Sequence, residues 1–203
     1  MKLHLGCGNN YIDGYINIDF PKENHTLVEP IADFYCDVLK LTYEPNSISE
    51  IRSHHMFEHF PRAVALAQLI KWHSWLEIGG ALIIETPDII GCAKLLLAQN
   101  TNINRVIRHI AGSHEADWAY HLDHWHCSRF KETLEVLGFK EIRCVFSSSN
   151  YLPNVTVTAC KSDVITIEKQ VERAEKLLRK SMVSSAEEAM YNVWKKQLEE
   201  ALC

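Results

Sequence analysis

Lys2-Leu3-His4-Leu5-Gly6-Cys7-Gly8-Asn9-Asn10 opens the chain, after Met1, as a short apolar strand running into a glycine turn. A Gly-x-Gly turn after a strand lets a ligand approach the backbone closely, because no Cβ intervenes. Gly14-Tyr15-Ile16-Asn17-Ile18-Asp19 follows as a second strand, with Ile16 and Ile18 alternating with polar neighbours. It sets Asp19 at its end, where an acid can accept hydrogen bonds from both ribose hydroxyls of an adenosine. Either feature alone is a tight turn or a strand end; together they point to a nucleoside site. The loop does not suit a pyrophosphate. A dinucleotide fingerprint needs a third glycine where Tyr11 stands, and Gly6 lies too close to Asp19 for a normal βαβ crossover. No Walker-type lysine follows. S-adenosylmethionine, with an adenosine, an amino-acid tail and a cationic sulfur, fits this loop better.

Working outward, residues 34–39 and 50–54 read as third and fourth strands. A helix is expected over 61–76, with Pro61 suited to its first turn. Gly79-Gly80 breaks the chain before the apolar run 81–85, which suits a central parallel strand. A helix over 130–137 stops at Gly138, and 140–146 with 155–160 form a closing antiparallel pair. Strands alternating with helices give an α/β fold with a mostly parallel sheet. Residues 1–161 form the cofactor-binding domain. Residues 162–203, rich in Glu, Lys, Ala and Leu, form a helical extension of one or two helices broken near 181–185. Ser185-Ala186-Glu187-Glu188 matches a capping box there. Leu177, Leu178 and Met182, then Ala189, Val193 and Leu198, make apolar stripes. They serve either to fold the extension back on its own domain or to pair two copies as a homodimer.

Composition limits the function classes. The chain has 203 residues, 47% of them hydrophobic, enough for one sizeable core. No apolar run approaches the roughly 20 residues of a membrane span, and the N-terminus lacks a signal peptide's apolar region; the expected location is cytoplasmic. The seven cysteines are odd in number and widely spaced, with no Cys-x-x-Cys pair. They are expected as free thiols in a reducing compartment. A net charge of −5 supplies no global field for nucleic acid.

Four blocks carry a resemblance to the class I S-adenosylmethionine-dependent methyltransferases, nearest a compact methyltransferase-11-like branch. The first is the opening motif with Asp19. The second is Ala32-Asp33-Phe34-Tyr35-Cys36-Asp37-Val38. The third is Ser53-His54-His55-Met56-Phe57-Glu58-His59-Phe60, similar to a His-x-Leu-Glu-His stretch. The fourth is Trp75-Leu76-Glu77-Ile78-Gly79-Gly80, similar to a Leu-x-Pro-Gly-Gly turn. Together they span residues 1 to about 161. The resemblance implies a Rossmann-like three-layer sandwich with a seven-stranded sheet whose last strand is inserted antiparallel. It implies S-adenosylmethionine as cofactor, held by Gly6, Cys7, Gly8, Asn9, Asp19, Phe20, Asp37, Val38, His54, His55, Met56 and His59. Two departures stand out: Asn10 replaces the third glycine, and the helix after the first strand is shortened or missing. Asp37 also suits a turn cap, and Glu58 and His59 suit capping of the helix after Pro61.

Between the fifth strand and the helix near 130 lie His109, His114, His121, His124 and His126, with Asp117, Asp123 and Cys127 among them. In this fold the segment overlies the carboxyl edge of the sheet, where acceptors bind. These histidines have three roles open to them: general base, metal ligand or structural group. His124 and His126 are the first candidates for a base and Asp88 for a second acceptor-site group. No zinc spacing such as His-Glu-x-x-His occurs, and no metal site is assigned. The expected activity is methyl transfer to an oxygen or nitrogen of a small-molecule or saccharide-linked acceptor, as in polysaccharide biosynthesis. The alternatives are a protein or nucleic-acid methyltransferase, and a scaffold of the same fold without turnover.

Overall fold

The computed structural model describes residues 1–98 and 102–203. Seven strands form one sheet: β1 (Lys2–Leu5), β2 (Ile16–Asp19), β3 (Phe34–Tyr35), β4 (Ile48–His54), β5 (Leu76–Pro87), β6 (Phe139–Ser149) and β7 (Leu152–Lys161). Their order is β3-β2-β1-β4-β5-β7-β6. The first five are parallel, and β7 runs antiparallel to both β5 and β6. Six α-helices accompany them: α1 (Arg62–Trp75), α2 (Ile89–Ala98), α3 (Ile103–Ala111), α4 (Cys127–Leu137), α5 (Ile167–Lys180) and α6 (Glu188–Leu202).

The strand alternation decides which face is buried. Leu3, Leu5, Ile18, Ile51, Leu82, Ile84, Val155 and Val157 share one face and belong to a single core cluster. Trp72 of α1 and Phe130 and Leu134 of α4 belong to the same cluster. The other face carries His4, Asn17, Glu50, Arg52, His54, Glu85 and Thr156. Among the described residues, the links from β1 to β4 hold only the 3-10 turns Lys22–Asn24 and Val38–Lys40 and no α-helix. Of the polar strand positions on that face, His4 and Asn17 are buried and hydrogen-bond each other at 3.1 Å, while the others are partly exposed. On one side of the sheet α1 and α4 pack against it, and α5 and α6 lie over them. The helical extension folds back: α6 meets α1 and α5, and α5 meets α1 and α4. Ala174, Leu178, Tyr191 and Leu198 are buried there. α1 is accordingly apolar around most of its circumference, as a helix packed on both sides must be. Among the described residues no helix is long and apolar enough to cross a membrane.

Several boundaries differ from expectation. β3 ends at Tyr35, because Asp37 caps the 3-10 turn that follows, Oδ1 accepting from the Leu39 amide at 2.9 Å. β5, β6 and β7 are longer than expected, and Asn150 and Tyr151 join the last two in a tight turn with positive φ at both residues. The capping box sits one residue earlier: Ser184 Oγ accepts from the Ala186 amide, and Glu187 accepts from Val183. The histidine-rich stretch begins in α3, which carries His109 and ends at Ala111.

Candidate active site

A cavity of about 720 Å³ opens at the carboxyl ends of β1, β2 and β4. This is where strand order reverses, the place where open α/β sheets bind ligands. All twelve residues expected around the cofactor line it: Gly6, Cys7, Gly8, Asn9, Asp19, Phe20, Asp37, Val38, His54, His55, Met56 and His59. Gly6 has φ +67°, and a Cβ there would lie 2.7 Å from Cβ of Met56. No other residue fits between the first turn and the chain leaving β4. The Gly6 and Cys7 amides both reach the Ile18 carbonyl, tying the turn to β2. Asp19 completes it: Oδ2 accepts from the Gly8 amide at 2.6 Å and Oδ1 from the Phe20 amide at 2.7 Å. His25 Nε2 lies 3.1 Å from Oδ1. Each carboxylate oxygen can accept a second hydrogen bond. Asp37 both caps its turn and borders the cavity. Asp19, Asp37, Glu115 and Asp117 line it, against Arg108 as the one Lys or Arg along the wall among the described residues. Such a wall suits a cationic ligand and repels phosphate.

A second group lies where β4 ends. His55 has left-handed backbone, φ +51°, and its ring stands between two acids. Its Nδ1 is 3.3 Å from Glu58 Oε1 and its Nε2 is 3.3 Å from Glu85 Oε1. Burial opposes charge on His55, but contacts with Glu58 and Glu85 prevail and raise its pKa to about 10. Glu85 is held down to about 2, first by His55 and, against burial, by the Thr156 hydroxyl at 2.6 Å. Burial likewise opposes charge on Glu58, yet His55, His59 and His121 keep its pKa below the ordinary carboxyl value. Glu58 does not cap α1: that helix follows Pro61 without a side-chain cap. The Glu58 carbonyl instead accepts from the Leu122 and Asp123 amides, pinning the histidine-rich segment over β4. His109, also on the wall, brings Nε2 to 3.1 Å from the Pro153 carbonyl and 3.0 Å from Asn154 Oδ1. Burial lowers its pKa.

Solved methyltransferase structures share the overall fold at low sequence identity. An S-adenosylmethionine-dependent methyltransferase from Methanosarcina mazei aligns with a TM-score of 0.54 at 14% identity, covering 79% of this chain and 92% of that one. The S-adenosylmethionine-dependent methyltransferase SibL, in its apo form, gives a TM-score of 0.54 at 15% identity over 80% of this chain and 50% of its own. Magnesium protoporphyrin IX methyltransferase from Synechocystis PCC 6803, with bound S-adenosylhomocysteine, gives 0.50 at 15% identity over 80% and 74%. No protein-family model and no curated protein matches the sequence. The chain has the class I methyltransferase fold.

Within this methyltransferase fold, the residues expected as catalytic lie elsewhere. His124, His126 and Asp88 are not on the cavity wall. His126 Nδ1 meets Asp88 Oδ1 at 2.6 Å, and Asp88 Oδ2 accepts from the Gly91 amide at the start of α2. Both residues therefore join the start of α2 to the start of α4. His124 is exposed, and its amide donates to Asp123. In their place the structure brings His25, Arg108, His109, Trp118 and His121 to the wall. Trp118 Nε1 donates to the Asn24 carbonyl, and its ring packs beside His25, Phe20 and His59. These contacts join segments distant along the chain, so no local spacing announced them.

Proposed function

We propose that the protein is an S-adenosylmethionine-dependent methyltransferase acting on an oxygen or nitrogen of a small acceptor. One observation carries this: the glycine turn, Asp19, Asp37 and the residues after β4 border one cavity, although they come from four separate segments. Its volume lies in the range of small-ligand clefts, roughly 300–1,000 Å³, and its acidic wall suits a sulfonium. When bound, S-adenosylmethionine supplies a methyl group on an electron-poor sulfur. The Gly6–Gly8 backbone makes room for the amino-acid tail, Asp19 orients the ribose, and Asp37 with Val38 receives the adenine. Trp118 and Leu122 border the same cavity. Holding both reactants in line supplies most of the rate.

His55, with its raised pKa, is an imidazolium and no proton acceptor. Residues 1–161 carry this chemistry, and 162–203 brace it. A saccharide-linked acceptor is one member of the acceptor class we infer, and the wall's acidity disfavours nucleic acid.

Calorimetric titration with S-adenosylmethionine and S-adenosylhomocysteine tests the proposal. One-to-one saturable binding is expected for both. Asp19→Asn, which keeps one oxygen for the turn, should bind at least tenfold more weakly while remaining folded. A folded wild type that binds neither compound would leave the scaffold alternative.

A further inference from the structure

We propose that Glu58, His59 and His121 bind a divalent transition-metal ion at the cavity floor. Resting on the methyl-transfer reading, the ion's role is to hold the acceptor oxygen. One ligand atom from each residue lies within 4.8 Å of the others. The two imidazoles are oriented alike. His59 Nδ1 meets the Tyr120 carbonyl at 3.0 Å, and His121 Nδ1 meets the Ile110 carbonyl at 3.1 Å. Carbonyls only accept, so each Nδ1 carries the proton and each Nε2 keeps its lone pair. A backbone carbonyl behind the far nitrogen is the usual support of a metal-ligating histidine.

Glu58 supplies the independent observation. Its side chain is 2% exposed, and neither carboxylate oxygen makes a well-formed hydrogen bond. His55 Nδ1 at 3.3 Å and His121 Nε2 at 3.9 Å from Oε1 are near but misaligned. Among the described residues Oε1 thus has only the His55 and His121 nitrogens beside it and Oε2 has no partner, so a buried carboxylate with spare lone pairs sits within ligand distance of two imidazoles. Two histidines and one carboxylate favour iron, manganese, cobalt or zinc over magnesium or calcium, which prefer oxygen. Three protein ligands leave coordination positions open, as in metal sites that take a substrate. In the transfer, the acceptor O–H proton leaves to water, its oxygen lone pair forms the bond to the methyl carbon, and the S–C pair returns to sulfur. The ion favours the first of these by withdrawing charge from the oxygen.

The test uses the full chain, stripped with chelator and titrated with Co²⁺ by visible absorption and calorimetry. Expected is one saturable equivalent, with ligand-field bands distinct from aqueous Co²⁺ and a raised melting temperature. His59→Asn and His121→Asn should each weaken binding at least tenfold, while His114→Asn, altering an exposed histidine of the same segment, should bind as wild type. Melting curves without metal verify that the variants fold; His59, half exposed, decides the matter if His121→Asn does not. Absence of saturable binding, or binding unchanged in His59→Asn, would overturn the proposal. S-adenosylhomocysteine binding is measured alongside. If it binds and Co²⁺ does not, the metal site alone fails. If Co²⁺ binds through these histidines and S-adenosylhomocysteine does not, the metal site stands and the methyl-transfer reading fails.

Discussion

Cys7 stands in the glycine turn with its thiol pushed up to about 12, by burial first and by the Asp19 charge next. The thiolate is the nucleophilic form of cysteine, and a thiolate beside a sulfonium methyl would take the methyl itself. A retained proton, with Sγ directed to the Ile31 carbonyl at 3.4 Å, removes that side reaction. Iodoacetamide at about pH 8 should modify exposed Cys203 quickly and leave Cys7 and Cys92 protected, Cys92 being pushed up to about 11. Peptide mass spectrometry reads the outcome, and rapid labelling of Cys7 in folded protein would contradict it. His55 makes a second residue-scale case. Its imidazolium is shared by Glu58 and Glu85, so His55→Ala leaves a buried carboxylate without its cation. Breaking one side of a fully buried pair typically loses about 3–5 kcal/mol, but the His55 ring is 41% exposed and solvent screens the pairing, so a loss of about 1 kcal/mol is expected. Urea unfolding should show a loss of that order, and an unchanged midpoint would mean the acids find another partner. The glycine turn and Asp19 were legible because each belongs to a short local pattern with a physical reason, whereas Asp37 read alone as a turn cap and was drawn to the site only by the family resemblance. Glu58 with His121 was not legible, since no spacing along the chain tells which histidine of a rich segment folds back over which acid.

α1 owes its cover to the extension. Its inner side meets the sheet and its outer side meets α5 and α6, so removing the tail would expose apolar surface along the helix. Leu198→Ala in α6, at a fully buried site, should lose about 2–5 kcal/mol, the range for a buried leucine truncation. Val193→Ala, at a position 55% exposed, should change stability by well under 1 kcal/mol. Equal effects in thermal unfolding would show that the tail is not packed as described. The stripes of this tail were visible in sequence, but periodicity marks an apolar face without saying what covers it. α3 was missed despite a signal. Asn102 Oδ1 accepts from the Asn104 and Arg105 amides, an N-cap. Ile103, Val106, Ile107 and Ile110 recur at helical spacing behind it, but Asn104, Arg105, Arg108 and His109 interleaved with them masked the pattern. β3 was overestimated for the opposite reason: an apolar run continued past Tyr35, while the Asp37 cap turned the backbone.

Over the whole molecule, covering one face of the sheet twice places polar groups in deep positions, and His73 of α1 is the clearest. It is fully buried, and neither ring nitrogen makes a well-formed hydrogen bond. Burial, then the charges of Lys161 and Arg173, lower its pKa to about 4, with the Gly138 backbone and Asp163 opposing. Phe139 packs edge-on against the ring and offers no charge. Above about pH 6.5 the imidazole is neutral in both folded and unfolded chains, and stability does not depend on it. As pH falls below 6.5 the unfolded chain takes up the proton and the folded chain does not, so stability declines. The decline stops near pH 4, where the folded form protonates too. At about 1.36 kcal/mol per pH unit, this histidine alone removes roughly 3 kcal/mol between neutrality and pH 4. His73→Leu removes the titration and two unsatisfied nitrogens. It should be more stable than wild type at pH 7, and its advantage should widen toward pH 4.5, measured by urea unfolding at both values. The same advantage at both pH values would mean that His73 is protonated inside the fold. Its charge would then have to be compensated close to the ring, where, among the described residues, Asp163 acts on it.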